Sequence, residues 1–128
     1  MYHIALHFLL PMVVVMVAYL LQQRQFSLHY AIKLYALMMA TMLVDIDHLL
    51  ATPIYDPTRC SLGFHPLHKI YAIISYALAS LLVFCPLNRS PLLRVLHYTG
   101  WVALALTLHM ILDGLDCYGN RGYFFHQG

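Results

Sequence analysis

The sequence predicts an all-α fold: a four-transmembrane-helix bundle forming a single integral membrane domain over residues 1–128. Three observations predict it. The chain is 62% hydrophobic and only 9% charged, against soluble averages of about half apolar and about a quarter charged. It holds four apolar stretches close to the roughly 20 residues that a helix needs to cross hydrocarbon. Between them lie segments such as "QQRQ", "TPIYDPTRCSLGF" and "CPLNRSP", which carry charge and turn formers. The formal charge of +2 is too small to suggest a nucleic-acid partner.

The first stretch covers residues 2–21. It lacks a basic start and a small-residue cleavage site, so it reads as a mature helix and not as a signal peptide. Pro11 inside it predicts a kink. The second covers residues 30–50. The third covers residues 66–84, with Pro66 in its first turn and His65 near the cap position, and Cys85-Pro86 stops it. The fourth covers residues 91–115. The tail "YGNRGYFFHQG" reads as polar-aromatic and interfacial. There is no internal repeat and no low-complexity tract.

Four hairpin-connected spans put the N-terminus, the middle loop and the C-terminus on one side of the bilayer. All five acids, Asp45, Asp47, Asp56, Asp113 and Asp116, then fall at that end. Seven of the nine histidines join them; only His29 and His97 fall at the other end. The opposite side carries Arg24, Lys33, Arg89 and Arg94, against Arg59, Lys69 and Arg121 on the acidic side. Positive residues favour the cytoplasm, so the acid–histidine end is expected on the non-cytoplasmic side.

An acid in a spanning helix costs about 2.5–3.5 kcal/mol at the bilayer centre, less toward the end. "LVDIDHLL" therefore needs a reason, and the few cations near it do not supply one. Metal binding does. His3 and His7 share a helix face, as do Asp45 and His48, and as do His109, Asp113 and Asp116. Asp47 points about 100° from His48, and His65 and His68 open the third helix. Imidazole and carboxylate together suit zinc first, then iron, manganese or nickel. The candidates exceed the needs of one ion, so one or two divalent ions are expected. Two-metal sites serve phosphoester or amide hydrolysis. Asp113 or Asp116 is the candidate for orienting water or acting as base, and Arg59 for holding a phosphate oxygen.

Other residues have plainer readings. His29, His97 and His126 read as hydrogen-bonded interfacial anchors, and Asp56, before Pro57, as a turn residue. The three cysteines show no metal spacing. Cys60 and Cys117 can pair in an oxidising compartment; three free thiols is the competing reading.

The pieces "HIALHFLLP", "MLVDIDHLL", "PIYDPTRCSLGFHPLH" and "LHMILDGLDC" span nearly the whole chain. With them the sequence resembles the small bacterial inner-membrane proteins known as predicted membrane-bound metal-dependent hydrolases. The resemblance implies a multi-pass inner-membrane protein with a metal-hydrolase site. It implies ligands from His3 or His7, from Asp45, Asp47 or His48, from His65 or His68, and from His109 with Asp113. More distantly, "HMILD" is similar to the histidine–acid ligand pairs of the helical zinc-dependent phospholipase C and nuclease superfamily, which favours a phosphoester of a lipid or lipid-linked molecule. Three rivals stand beside hydrolysis: transport of a metal ion or protons, haem held by paired histidines, and a purely structural metal.

Overall fold

The computed structural model describes residues 2–21, 27–54, 59–87 and 90–124, with the side chains of residues 2–4 outside that description. Among the described residues the protein is helical throughout, with no strand. Helix α1 is Tyr2–Leu21 and runs through Pro11. Helix α2 is Leu28–Ala40 and continues as a 3₁₀ helix over Thr41–Leu50. A 3₁₀ turn, Pro66–His68, precedes α3, Ile70–Ser80, which tightens into 3₁₀ over Leu81–Phe84. Helix α4 is Pro91–Arg121.

Local chemistry sets these boundaries. The Ser27 hydroxyl accepts from the Tyr30 N–H and starts α2; the Ser90 hydroxyl accepts from the Leu93 N–H and starts α4, with Pro91 in its first turn. Gly122, at φ +78°, ends α4 in the left-handed conformation that glycine adopts without penalty.

Three boundaries differ from the sequence reading. The second stretch changes winding at Thr41, just before the acids. The third begins its α-helix at Ile70, not Pro66, because Lys69 is extended; His65 and His68 thus stand ahead of the apolar helix. The fourth runs on to Arg121. It stops at Gly122, which takes the left-handed conformation.

Helix α4 is the centre of the assembly: α1, α2 and α3 all pack on it, and α1 also packs on α2. Val15, Ala31, Leu34, Met38, Trp101 and Ala105 form one apolar core among α1, α2 and α4. A second, around Val44, Cys60, Leu62, Met110 and Cys117, lies nearer the acidic end. Gly100 is where α4 meets the 3₁₀ end of α3. A Cβ there would collide with the Leu82–Val83 backbone.

The outer surface is apolar. Leu9, Met16, Leu43, Leu78, Phe84 and Val95 are among many large hydrophobic residues left exposed, as at a membrane or protein contact. Two helices, Leu28–Leu50 and Pro91–Arg121, are long and apolar enough to cross a membrane; Ala5–Leu21 and Ile70–Phe84 are shorter apolar helices.

The end away from the acids holds a correction. His97, read as an interfacial anchor, is buried. Its Nδ1 lies 2.9 Å from the Cys85 carbonyl oxygen and its Nε2 3.0 Å from Trp101 Nε1 and 2.7 Å from the Tyr30 hydroxyl. A proton on Nδ1 satisfies all three: the carbonyl accepts it, and Nε2 accepts from Trp101 and Tyr30. His97 therefore ties α2, α4 and the end of α3 together. His29 is exposed, and His126 lies outside the described residues.

Candidate metal centre

Separate elements deliver the polar residues to one end. Helix α1 brings His7. The 3₁₀ helix brings Asp45, Asp47 and His48; at three residues per turn, Asp45 and His48 stack on one face. A loop ending in the Pro66–His68 turn brings Ser61, His65 and His68. Helix α4 brings His109 and Asp113 one turn apart.

Two features hold that loop. Cys60 and Cys117 form a disulfide with their Cα atoms 5.7 Å apart, fastening the loop to α4. Gly63, at φ +83°, takes a left-handed turn that glycine allows, and its N–H donates to the His68 carbonyl at 3.0 Å. The turn places the His68 ring, fully buried, between the two aspartate-bearing helices.

Four donor atoms converge there. His68 Nε2 lies 3.4 Å from Asp45 Oδ1 and 3.3 Å from Asp113 Oδ2. His109 Nε2 lies 3.2 Å from Asp45 Oδ1 and 3.4 Å from Asp113 Oδ2. Ligands about 2.0–2.1 Å from a tetrahedral zinc ion stand roughly 3.3–3.4 Å from each other. These four separations match four of the six edges of such a tetrahedron. His68 Nε2 is also buried with no hydrogen-bond partner, despite two carboxylate oxygens close by. Orphaned nitrogen, donor types and spacing all fit a divalent cation, and these buried groups can hold a metal ion.

A second cluster adjoins the first. Asp47 Oδ2 accepts the Leu67 N–H at 2.9 Å and lies 3.2 Å from His68 Nδ1. A proton on Nδ1 donates to that carboxylate and leaves the Nε2 lone pair facing the four-donor set. A carboxylate behind a ligating histidine has this role in metal sites. His48 Nδ1 is 3.2 Å from Asp47 Oδ1 and 3.1 Å from the Asp45 carbonyl oxygen, and its Nε2 is 3.1 Å from Ser61 Oγ. Asp47, His48 and His68 are themselves spaced so that they can hold an ion.

The electrostatics follow from burial and charge. Burial acts to lower the His68 pKa, but contacts with Asp113 and Asp45 override it and raise the value to about 10. The aspartates thus demand a positive charge at this point, which a proton or a metal cation meets. His65 behaves oppositely: burial, then the neighbouring His48, lower its pKa to about 4. Its ring stacks on His48 at 3.8 Å, and it belongs to neither donor group.

The remaining sequence candidates fall around this core. His7 Nε2 lies 3.3 Å from Asp113 Oδ1, the carboxylate oxygen turned away from His68, and its ring meets His109 edge-on at 4.3 Å. Asp116 is exposed and outside the four-donor set; with Arg59, Ser61, Asp113 and Arg121 it lines a cavity of about 60 Å³. Arg59 donates to the Pro53 and Ile54 carbonyls at 2.8 and 3.0 Å and lies 4.5 Å over the Phe64 ring. The His3 side chain and Asp56 lie outside the described residues. Sequence reasoning missed Ser61, the Leu67 N–H and Arg121 as parts of the site. A serine and a backbone amide carry no chemical signature; the arginine was counted only as a charge.

Fold and site define a class: a small all-helical protein with two candidate membrane spans and a buried histidine–aspartate group able to hold a metal ion. Within that class the chain belongs to DUF6122, a family of unknown function whose model matches residues 1–119. The match covers every element that brings a donor to the centre. No curated protein and no solved structure matches the chain.

Proposed function

We propose that the chain is a membrane-embedded metal-dependent hydrolase acting on a phosphoester or ester of a lipid or lipid-linked molecule. One observation carries the reading: two imidazole nitrogens and two carboxylate oxygens, each nitrogen 3.2–3.4 Å from each oxygen, meet within an apolar helix assembly. Zinc is the metal of first choice. The four helices are read as four spans in the bacterial inner membrane, α1 and α3 being the shorter apolar pair. The Cys60–Cys117 pairing supports an oxidising compartment at the site, hence the non-cytoplasmic face.

A bound divalent ion supplies Lewis acidity, polarising an ester oxygen and lowering the pKa of a neighbouring water toward about 7. The chain's own groups do the rest. Asp47 keeps His68 protonated on Nδ1. His7 steadies the outer oxygen of Asp113, which serves as a ligand. Asp116, exposed beside the centre, accepts a proton from the attacking water, and Arg59 takes a phosphate oxygen.

A structural metal has one observation in its favour. Four protein donors complete a tetrahedron, as in structural zinc sites, whereas catalytic zinc keeps a position for water. The exposure of Asp45 favours the catalytic reading. Its side chain is 39% exposed, while those of His68, His109 and Asp113 are 0, 3 and 8% exposed. Asp45 is the donor that water reaches most readily. The test is zinc analysis beside turnover of chromogenic phosphomonoesters and phosphodiesters. Asp116→Asn is expected to keep zinc and lose turnover, and His68→Ala to lose both. A wild-type protein that holds zinc, unfolds without it and hydrolyses nothing overturns the hydrolase in favour of the structural metal.

A further inference from the structure

We infer that the substrate is an anionic amphiphile: a phosphate headgroup held by Arg59 and Arg121 above the metal centre, with one acyl chain laid in an apolar groove between α3 and α4. The inference rests on the hydrolase reading above and names what that site accepts.

The headgroup position is the cavity lined by Arg59, Ser61, Asp113, Asp116 and Arg121. Two guanidinium-bearing residues share this small space with Asp113, whose other face belongs to the donor set. Arg59 is held by two carbonyls and the Phe64 ring, so little side-chain freedom is lost when it meets an anion. Planar guanidinium groups suit phosphate oxygens bidentately. Asp113 and Asp116 repel an anion until a cation engages Asp113, so phosphate binding follows metal loading.

The groove is lined by the next residues along the same two segments. It has a volume of about 220 Å³ and is lined almost wholly by apolar groups, including Leu62, Ile73, Met110, Ile111 and Leu115. The chain segments are continuous: residues 59–61 line the cavity and residue 62 the groove, while residues 113 and 116 line the cavity and residues 110, 111, 114 and 115 the groove. On α4 the groove extends from Leu115 back to Thr107, toward the middle of a candidate span, whereas Arg121 lies at its end. Charge is thus at the helix end and hydrocarbon lining runs inward from it, the polarity of a lipid standing in a leaflet. A free phosphate or a soluble phosphoester has no use for the groove, and a neutral lipid none for the arginines.

The test is calorimetric binding to the zinc-loaded full chain in non-ionic micelles at one fixed concentration, with each probe's partitioning into protein-free micelles measured and subtracted. The probes are dihexanoyl phosphatidic acid, dihexanoyl phosphatidylcholine, glycerol phosphate and inorganic phosphate. Phosphatidic acid is expected to bind at least tenfold tighter than each of the others. Arg121→Gln is expected to weaken it about tenfold, with Arg121→Lys retaining part of that affinity. Ile111→Trp, which fills the groove, is expected to remove the advantage over glycerol phosphate. Arg121 is chosen because Arg59 also holds its own loop. Equal binding of the anionic and zwitterionic lipids overturns the headgroup position. Equal binding of phosphatidic acid and glycerol phosphate, or an Ile111→Trp chain with undiminished preference, overturns the groove. Failure of the hydrolase reading looks different: the lipid binds with this selectivity and is never turned over.

Discussion

Removing the Asp47 carboxylate tests the centre at a residue that does not belong to the four-donor set. Its Oδ2 accepts from the Leu67 N–H at 2.9 Å and stands 3.2 Å from His68 Nδ1. It thereby fixes which imidazole nitrogen faces the donors and how the ring is turned. Loss of such a partner typically weakens metal binding 10–100-fold, or about 1.4–2.7 kcal/mol. Asp47→Asn can keep an oxygen at the Oδ2 position but loses the charge, so it belongs near tenfold. Asp47→Ala also takes the acceptor from the Leu67 N–H and frees the ring, so it belongs near a hundredfold. The assay is competition for zinc against a chromophoric chelator, with stoichiometry measured in parallel. One zinc per chain is expected in every variant, held progressively less tightly from wild type to Asn to Ala. A drop from two ions to one in Asp47→Ala would make Asp47 a ligand of a second ion. Wild-type affinity in Asp47→Ala would refute the orienting role outright.

Three further outcomes follow from other features. Metal-free protein should lose stability as pH rises from 6.5 toward about 10, because the folded chain holds a proton on His68 that the unfolded chain releases. Zinc-loaded protein should instead lose stability as pH falls, because protons displace the ion; melting curves with chelator and with zinc should slope oppositely, and parallel slopes would contradict the site. Cys60→Ser with Cys117→Ser should destabilise the chain by roughly 4 kcal/mol on the chain-entropy model, given a sequence separation of 57, and should lower zinc affinity as the loop bearing His68 loosens; denaturant melts and chelator competition read the two effects. His97→Phe removes the acceptor shared by Tyr30 and Trp101 and the partner of the Cys85 carbonyl. It should cost about 1–3 kcal/mol for each buried group left unsatisfied while leaving zinc stoichiometry unchanged.

Much of this was legible in the sequence because hydrophobic runs and chemistry-bearing residues are local signals. Helix content, the positions of all four helices and the gathering of His7, Asp45, Asp47, His48, His68, His109 and Asp113 at one end came from spacing and alternation of loop sides. The pairing state of Cys60 and Cys117 did not, because two thiols separated by a long loop say nothing of their distance. The roles within the cluster were also hidden. His65 and His68 are equivalent in "FHPLH", and only the turn at Gly63 and the extended Lys69 decide that one ring is buried among carboxylates while the other stacks on His48. Asp45 and Asp47 are separated in the same way, by which face of a 3₁₀ helix each occupies. His97 was misread because its three partners come from α2, α4 and the turn after α3, a convergence that no single segment displays.

The winding over Thr41–Leu50 carries a geometric consequence. A 3₁₀ helix climbs about 2.0 Å per residue and closes its circle in about three, against about 1.5 Å and 3.6 for the ordinary form. Ten residues therefore reach about 20 Å instead of about 15. Relative to Thr41, Asp47 is swung by roughly 120° from where ordinary winding would aim it. Pitch is thus a hidden component of the centre: relaxing the coil there would scatter the carboxylates without altering one side chain.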